Sequence, residues 1–318
     1  MMKGKVSFVI PCYRSENTLE AVVKEINETV QTLGLEHEII LVNDSSPDGT
    51  IKTIRKLCEE YDFITGIDLA KNFGQHAALM AGLRASSGDV AVCLDDDSQT
   101  PANEVGKLLA KLDEGYDVCY ASYGKKQHSG FRNLGSKLNE LMTRVMLGKP
   151  KELYISSYFA AKRFIVDDML RYEQPYSYVI GLVLRATKNI ANVEVNHRAR
   201  TSGSSGYTLK KLFSLWFNGF TAFSIKPLRI ATFVGSMCAC AGFLYGIYTI
   251  IKKLILIDIE AGFSATMSVM VFMGGMIMLM LGMIGEYVGR IYLCINNTPQ
   301  YVIREVIHVN KDKNRDTE

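Results

Sequence analysis

The sequence carries almost no net charge: 36 Lys and Arg stand against 33 Asp and Glu across 318 residues, a formal +3. That balance is too mild to argue for a nucleic-acid partner. It also lacks any cysteine pattern. Cys12, Cys58, Cys93, Cys119, Cys238, Cys240 and Cys294 are odd in number and follow no metal-ligand spacing, so free thiols in a reducing compartment are expected. The N-terminal apolar stretch is too short for a signal-peptide core and has no small-residue cleavage site, which predicts that most of the chain stays in the cytosol. Two long stretches, 230–251 and 261–285, contain no charged side chain at all. Each exceeds the roughly 20 residues needed to cross a hydrocarbon core. A simple soluble protein, a disordered chain and a small disulfide scaffold are thereby excluded.

Up to about residue 200, short apolar runs alternate with longer helical periods. Strands are predicted over 6–10, 38–42, 63–68, 89–94 and 117–121, with helices over 50–61, 75–86 and 103–113 between them. A first helix should open at Asn17, where Asn17 and Glu20 have capping-box spacing, and stop at Gly34. Further on, 131–147 reads as a helix, and 155–161 and 192–196 as strands. Strands alternating with helices imply parallel pairing through right-handed crossovers, hence an α/β, doubly wound, mostly parallel sheet. Ligands of such sheets bind beyond the carboxyl ends of the strands.

The second half changes character. Residues 208–223 carry Leu209, Leu212, Phe213, Trp216, Phe217 and Phe220 near helical spacing beside Lys210 and Lys211, as expected of a helix lying in the headgroup layer. The two apolar runs then form a membrane hairpin. Lys226 and Arg229 precede it and Arg290 and Arg304 follow it, a positive excess that predicts both termini in the cytosol. The expected organisation is a catalytic domain over 1–206, an amphipathic juxtamembrane helix over 207–226, two spans within 227–292 and a cytosolic tail over 293–318. Gly242 with Gly246, and Gly285 with Gly289, have the spacing of close helix approach, which a homo-oligomer would use.

The strongest chemical feature is Asp95-Asp96-Asp97-Ser98-Gln99, directly after a predicted strand. Adjacent carboxylates repel one another, and a cation relieves that repulsion. Alternate residues of an extended segment face one way, so Asp95 and Asp97 can address one ligand. Hard oxygen donors with room for phosphate oxygens suit Mg²⁺ or Mn²⁺. Asp44, in the segment NDSSPDGT, is placed to accept bonds from a ribose or base, although turn and capping chemistry accounts for it equally well. Lys71 opens the segment KNFGQH after the third strand, and His76 at its end reads as a packed helix residue.

Pro11-Cys12-Tyr13, NDSSPDGT, KNFGQH and DDDSQTP, taken together, resemble the family-2 glycosyltransferases, and within them the polyprenyl-phosphate branch. The resemblance continues through Arg200-Thr201-Ser202-Gly203-Ser204-Ser205-Gly206-Tyr207 and through Gly285-Glu286-Tyr287-Val288-Gly289-Arg290 after the second run. It implies a GT-A-like fold, a nucleotide-sugar donor and a polyprenyl-phosphate acceptor, with no role for nucleic acid. By the same resemblance Pro11, Tyr13, Asp44, Lys71, Asp95 and Asp96 belong to the donor site, with Ser205 and Tyr207 beside them. Asp95, Asp97 and Gln99 would hold the divalent metal, and Asp97, Arg132 and Arg200 would serve catalysis. Two departures stand out. Ser156 and Ser157 occupy a stretch where many relatives carry an acidic residue, and Gly206 replaces a frequent lysine. The implied activity is an inverting, metal-dependent sugar transfer, UDP-sugar ahead of GDP-mannose as donor, at the cell membrane. A hydroxyl acceptor, or a non-catalytic nucleotide-sugar-binding subunit, remains open at this point.

Overall fold

A computed structural model of the chain describes residues 4–97, 100–123, 144, 149–150, 152–196, 226–255, 262–296 and 298–308. The expected helices over 131–147 and 208–223 therefore lie outside the described residues, apart from Arg144. The chain divides into two compact units, Met1–Leu212 together with Asn297–Glu318, and Phe213–Asn296.

In the first unit, Val6–Cys12 (β1) is buried along its whole length, as a strand covered on both faces must be. Leu19–Leu33 (α1), His37–Asn43 (β2), Thr50–Glu60 (α2), Ile64–Leu69 (β3), Gln75–Ala85 (α3) and Val90–Cys93 (β4) follow in strict alternation. A 3₁₀ turn at Ala102–Glu104 leads into Val105–Asp113 (α4) and Val118–Tyr123 (β5). Then come Phe159–Lys162 (β6), Arg163–Leu170 (α5), Val179–Ala186 (α6) and Ile190–Val195 (β7). The eight-stranded sheet has the order β7-β5-β6-β4-β1-β2-β3-β8, where β8 is Ile303–Ile307. β1 pairs in parallel with β2 and β4, β2 with β3, and β5 with β7. β6 runs antiparallel between β4 and β5, and β8 antiparallel against β3.

Most sequence expectations hold to within a residue or two. α1 ends at Gly34, whose φ of 64° is the left-handed cap. Its start differs from expectation. Thr18 is the N-cap with no side-chain cap bond, and Glu20 reaches across to Lys56 (Oε1–Nζ 2.7 Å), so no capping box forms at Asn17. The strand expected over 155–161 begins only at Phe159. The expected tail contains β8, which closes one edge of the sheet.

The second unit holds Lys226–Ile255 (α7) and Phe263–Ile295 (α8), helices of 30 and 33 residues. At 1.5 Å per residue each is about 45–50 Å long, enough to span a bilayer. Both contain windows long and apolar enough to cross a membrane, Ala231–Tyr248 and Phe272–Ile295, and these are almost wholly unburied. Phe233, Met237, Phe243 and Leu244 on α7, and Met270, Phe272 and Met278 on α8, are exposed. A soluble core helix would cover such side chains; a lipid-facing one leaves them bare. The two helices approach at Gly235, where a β-carbon would come within 2.8 Å of Met280 Cε. Gly242, Gly246, Gly285 and Gly289 have nothing within 4 Å at the corresponding position. Near the end of α8, Arg290 and Glu286 pair one turn apart (Nη2–Oε1 2.6 Å).

Candidate active site

Strand order reverses about β1, which has β2 on one side and β4 on the other. Open α/β sheets bind ligands at such a switch point, outside the carboxyl ends of the strands. The loops after β1, β2, β3 and β4 all emerge there.

The acidic cluster begins two residues after β4, and its three carboxylates do different things. Asp95 Oδ1 accepts from Gln75 Nε2 at 2.9 Å, and Oδ2 accepts from the Ser157 hydroxyl. Burial pushes Asp95 up to about 6, against those two hydrogen bonds and with help from the charges of Asp97 and Asp96. Asp96 turns toward the β1 loop: its Oδ2 accepts from the Tyr13 amide at 3.0 Å and from the Ser15 hydroxyl. Burial raises Asp96 as well, with the Ser15 and Tyr13 bonds opposing. Asp97 stays partly exposed. Thr100, itself buried, donates to the Asp95 carbonyl (3.3 Å) and braces the turn.

Asp44 does more structural work than its sequence position announced. It is 4 % exposed, and Oδ1 and Oδ2 accept from the amides of Phe73 (2.7 Å) and Gly74 (2.8 Å). Asn72 Nδ2 adds a bond to the Asp44 carbonyl at 3.2 Å. Burial pushes this carboxyl up while the two amides pull it down. The loop after β2 is thus tied to the loop after β3. Lys71 lies exposed on the same loop, its Nζ 5.0 Å from the Phe73 ring centroid.

The loop after β1 is held just as firmly. Arg14 and Ser45 are the non-glycine residues with positive φ among those described, at 61° and 50°. Such conformations persist only where neighbours over-determine them. Here the Arg14 amide donates to Ser46 Oγ (2.8 Å), and the Ser15 amide to Thr50 Oγ1 (2.9 Å). Ser46 and Thr50 in turn donate to Asp48 Oδ1, each at 2.6 Å. Tyr13 presents its ring to solvent at 45 % exposure, with the Arg14 guanidinium 5.7 Å from the centroid. An exposed ring on so constrained a backbone is a ready stacking surface for a base.

Of the residues singled out in the sequence, Tyr13 and Asp96 are brought together by a direct contact, and Asp95 is next to Asp96 in the chain. Asp97 is adjacent in the chain, Pro11 is a buried member of β1, and Asp44 and Lys71 belong to the neighbouring loops. Gln99, Arg132, Arg200, Ser205 and Tyr207 lie outside the described residues. Gln75, Ser157 and the polar chain Asn43–Asp68–Arg304 were not anticipated. Ser157 had left one signal, as a hydroxyl in the stretch where the resemblance leads to an acid.

The donor set suits a hard divalent cation. Among the described residues no three His, Cys, Asp or Glu side chains converge on a common point. Mg²⁺-type sites built from one or two carboxylates plus substrate phosphate oxygens need no such cage. Asp95 and Asp97 can supply those carboxylates, while Asp96 is engaged elsewhere.

Comparison with known proteins agrees with this geometry. Residues 7–170 match the family model for glycosyl transferase family 2, and residues 226–291 match the GtrB C-terminal hairpin. An undecaprenyl-phosphate 4-deoxy-4-formamido-L-arabinose transferase from Proteus mirabilis is 34 % identical over 318 residues, covering 98 % of this chain and 97 % of that one. A protein of the same description from Salmonella paratyphi B is 33 % identical, covering 96 % and 94 %. The fold is also that of Mycobacterium tuberculosis glucosyl-3-phosphoglycerate synthase, solved with Mn²⁺ and UDP-glucose. That likeness has a TM-score of 0.52 at 20 % identity, over 69 % of this chain and 77 % of that one. With its sheet, its strand-end acidic cluster and its apolar hairpin all accounted for, the chain belongs to the family-2 glycosyltransferases.

Proposed function

We propose that the protein moves one sugar, with inversion, from a nucleotide-sugar donor to a polyprenyl phosphate such as undecaprenyl phosphate, at the cytosolic face of the cell membrane. The observation that carries this reading is the state of the residues around Asp95. A hydroxyl acceptor needs a base to take its proton. Where the family resemblance leads to an acidic residue, this chain has Ser156 and Ser157. Ser156 Oγ is engaged with the carbonyls of Ala121 (2.7 Å) and Tyr158 (2.8 Å), and Ser157 with Asp95. A phosphate monoester needs no base, because its second pKa near 6 leaves it largely dianionic at neutral pH.

In the proposed reaction a phosphate oxygen of the lipid attacks the anomeric carbon from the face opposite the leaving group. A new C–O bond forms as the bond to the nucleoside diphosphate breaks, and the electron pair leaves with the diphosphate. Asp95 and Asp97, with Gln99, would hold Mg²⁺ or Mn²⁺ against those phosphate oxygens. The bound metal would neutralise charge developing there. Arg132 and Arg200 are assigned to donor or acceptor phosphates, where a guanidinium fork suits two oxygens. Tyr13, Pro11, Asp44, Lys71, Asp96, Ser205 and Tyr207 complete the donor site. The relatives' descriptions support undecaprenyl phosphate as acceptor, and the hairpin supports delivery of a lipid within the membrane plane. A UDP-sugar is the favoured donor, and 4-deoxy-4-formamido-L-arabinose, the relatives' sugar, is the first to try. The positive flanks of the spans support cytosolic termini.

The test is transfer of labelled sugar from UDP- and GDP-linked donors by the purified full chain, offered either polyprenyl phosphate or the corresponding polyprenol. The reading expects one labelled product, formed only on the phosphate. Equal transfer to the polyprenol would favour the hydroxyl-acceptor reading instead.

A further inference from the structure

The chain leaving α8 does not end as a free tail: residues 303–307 return to the first unit's sheet as β8. Its pairing with β3 is irregular at one place. Asp68 is opposite Glu305 and Leu69 is opposite Ile303, so Arg304 is the extra residue of a bulge. Bulges re-aim a side chain, and here the guanidinium is turned onto the carboxyl end of β3. Arg304 donates from Nη1 to Asp68 Oδ2 (3.0 Å) and from Nη2 to the Ala70 carbonyl (2.8 Å).

Asp68 is 4 % exposed and its other oxygen is taken too: Asn43 Nδ2 donates to Oδ1 at 2.7 Å. Asn43, 2 % exposed, uses its own Oδ1 to accept from the Ser46 amide at 3.2 Å. From Ser46 the chain of bonds passes to the Arg14 amide and to Asp48, so positive-φ Arg14 is tied to this loop while the Asn43–Ser46 bond brackets positive-φ Ser45. A buried carboxylate and amide joined by these hydrogen bonds are costly to leave unpaired, so the arrangement acts as a unit.

We infer that Arg304 is a positioning residue for the donor site, setting the loop 43–48 through Asp68 and Asn43, so that the strand following the membrane hairpin is part of the nucleotide-binding machinery. The inference rests on the donor reading given above. A neighbouring contact of the same strand supplies the control. Glu305 forms a forked pair with Arg55 on α2 (Nη1–Oε1 3.0 Å), which fastens β8 to the sheet; Arg55 feels the charge of Asp68 but adds no hydrogen bond to the path.

The experiment uses the full chain in detergent with Mn²⁺ and the free nucleotide, UDP or GDP, whichever the unaltered protein binds. Calorimetry reads affinity, and amide hydrogen exchange reads the peptide covering 43–48. Arg304→Gln is expected to weaken nucleotide binding at least about tenfold and to speed exchange in 43–48. Arg304→Lys, which keeps a positive donor beside Asp68, should recover most of that loss. Arg55→Gln should match the unaltered protein in both. Unchanged affinity and exchange in Arg304→Gln, or equal losses in Arg304→Gln and Arg55→Gln, would overturn the inference, the latter reducing β8 to a structural edge. Failure of the unaltered protein to bind either nucleotide would sink the donor reading, and the exchange comparison would then decide the relay by itself.

Discussion

Gln75, the first residue of α3, donates its side-chain amide to Asp95 at the end of β4 across 2.9 Å, and Ser157 occupies the other oxygen of the same carboxylate. Two neutral donors therefore fix the direction in which Asp95 presents its remaining lone pairs. Around a metal ligand, the role proposed for Asp95, partners of this kind are typically worth about 10–100-fold in affinity or activity. Gln75→Ala and Ser157→Ala are each expected to lower turnover by about tenfold or more with little change in thermal unfolding. Full activity in both, at limiting Mn²⁺ or Mg²⁺, would show that Asp95 needs no such orientation.

The Asp44 carboxylate spans two backbone amides, which makes a specific prediction for Asp44→Asn. The new side chain can accept from only one of Phe73 and Gly74 and turns an N–H toward the other. A buried donor left facing a donor costs about 1–3 kcal/mol. The variant should melt measurably lower than the parent and bind nucleotide more weakly. Weaker nucleotide binding at an unaltered melting temperature would mean that Asp44 acts on the ligand alone and not on the loops.

A pH prediction comes from the opposite end of the sheet. Glu38, at the start of β2, accepts from Lys5 Nζ, Ser7 Oγ and the Ser87 amide, each at 2.6 Å. Burial alone would raise its carboxyl, but these bonds outweigh it and hold Glu38 down at about 2. A carboxyl whose pKa falls on folding contributes stability above its unfolded value of about 4.5 and loses it as pH drops toward 2. The contribution has a ceiling of about 3 kcal/mol. Glu38→Gln should therefore melt below the parent at pH 7, with the gap narrowing between pH 4.5 and 3. A gap that stays constant over that range would contradict the assignment.

The parallel half of the sheet was legible because its signals are local. Apolar runs such as 6–10 and helical periods such as 75–86 mark elements whose burial on both faces is written residue by residue. The acidic cluster was legible for the same reason, standing where a parallel strand must end. What sequence could not show depends on distant pairing. Ser157 reaches Asp95 from 62 positions away and Arg304 reaches Asp68 from 236. No periodicity announces β8, since five residues that pair with one edge look like any short exposed run. The misplaced start of α1 has a similar cause: Glu20 found a partner on α2 in Lys56, a tertiary contact that local capping rules do not see.

The most direct measurement is sugar transfer to polyprenyl phosphate by the full chain carrying Asp95→Asn or Asp97→Asn, each read beside its thermal unfolding. Burial already favours the uncharged form of Asp95, whose carboxyl is pushed up to about 6. Removing its charge at pH 7 relieves that cost, and the Ser157 hydroxyl can turn to accept from the new amide while Gln75 keeps the oxygen, so the metal-free variant should be at least as stable as the parent. If these carboxylates hold the cation on the departing diphosphate, both variants fold, stay in the membrane and lose at least about 100-fold in rate, near 2.7 kcal/mol of barrier. Near-parental transfer by two well-folded variants would contradict the account.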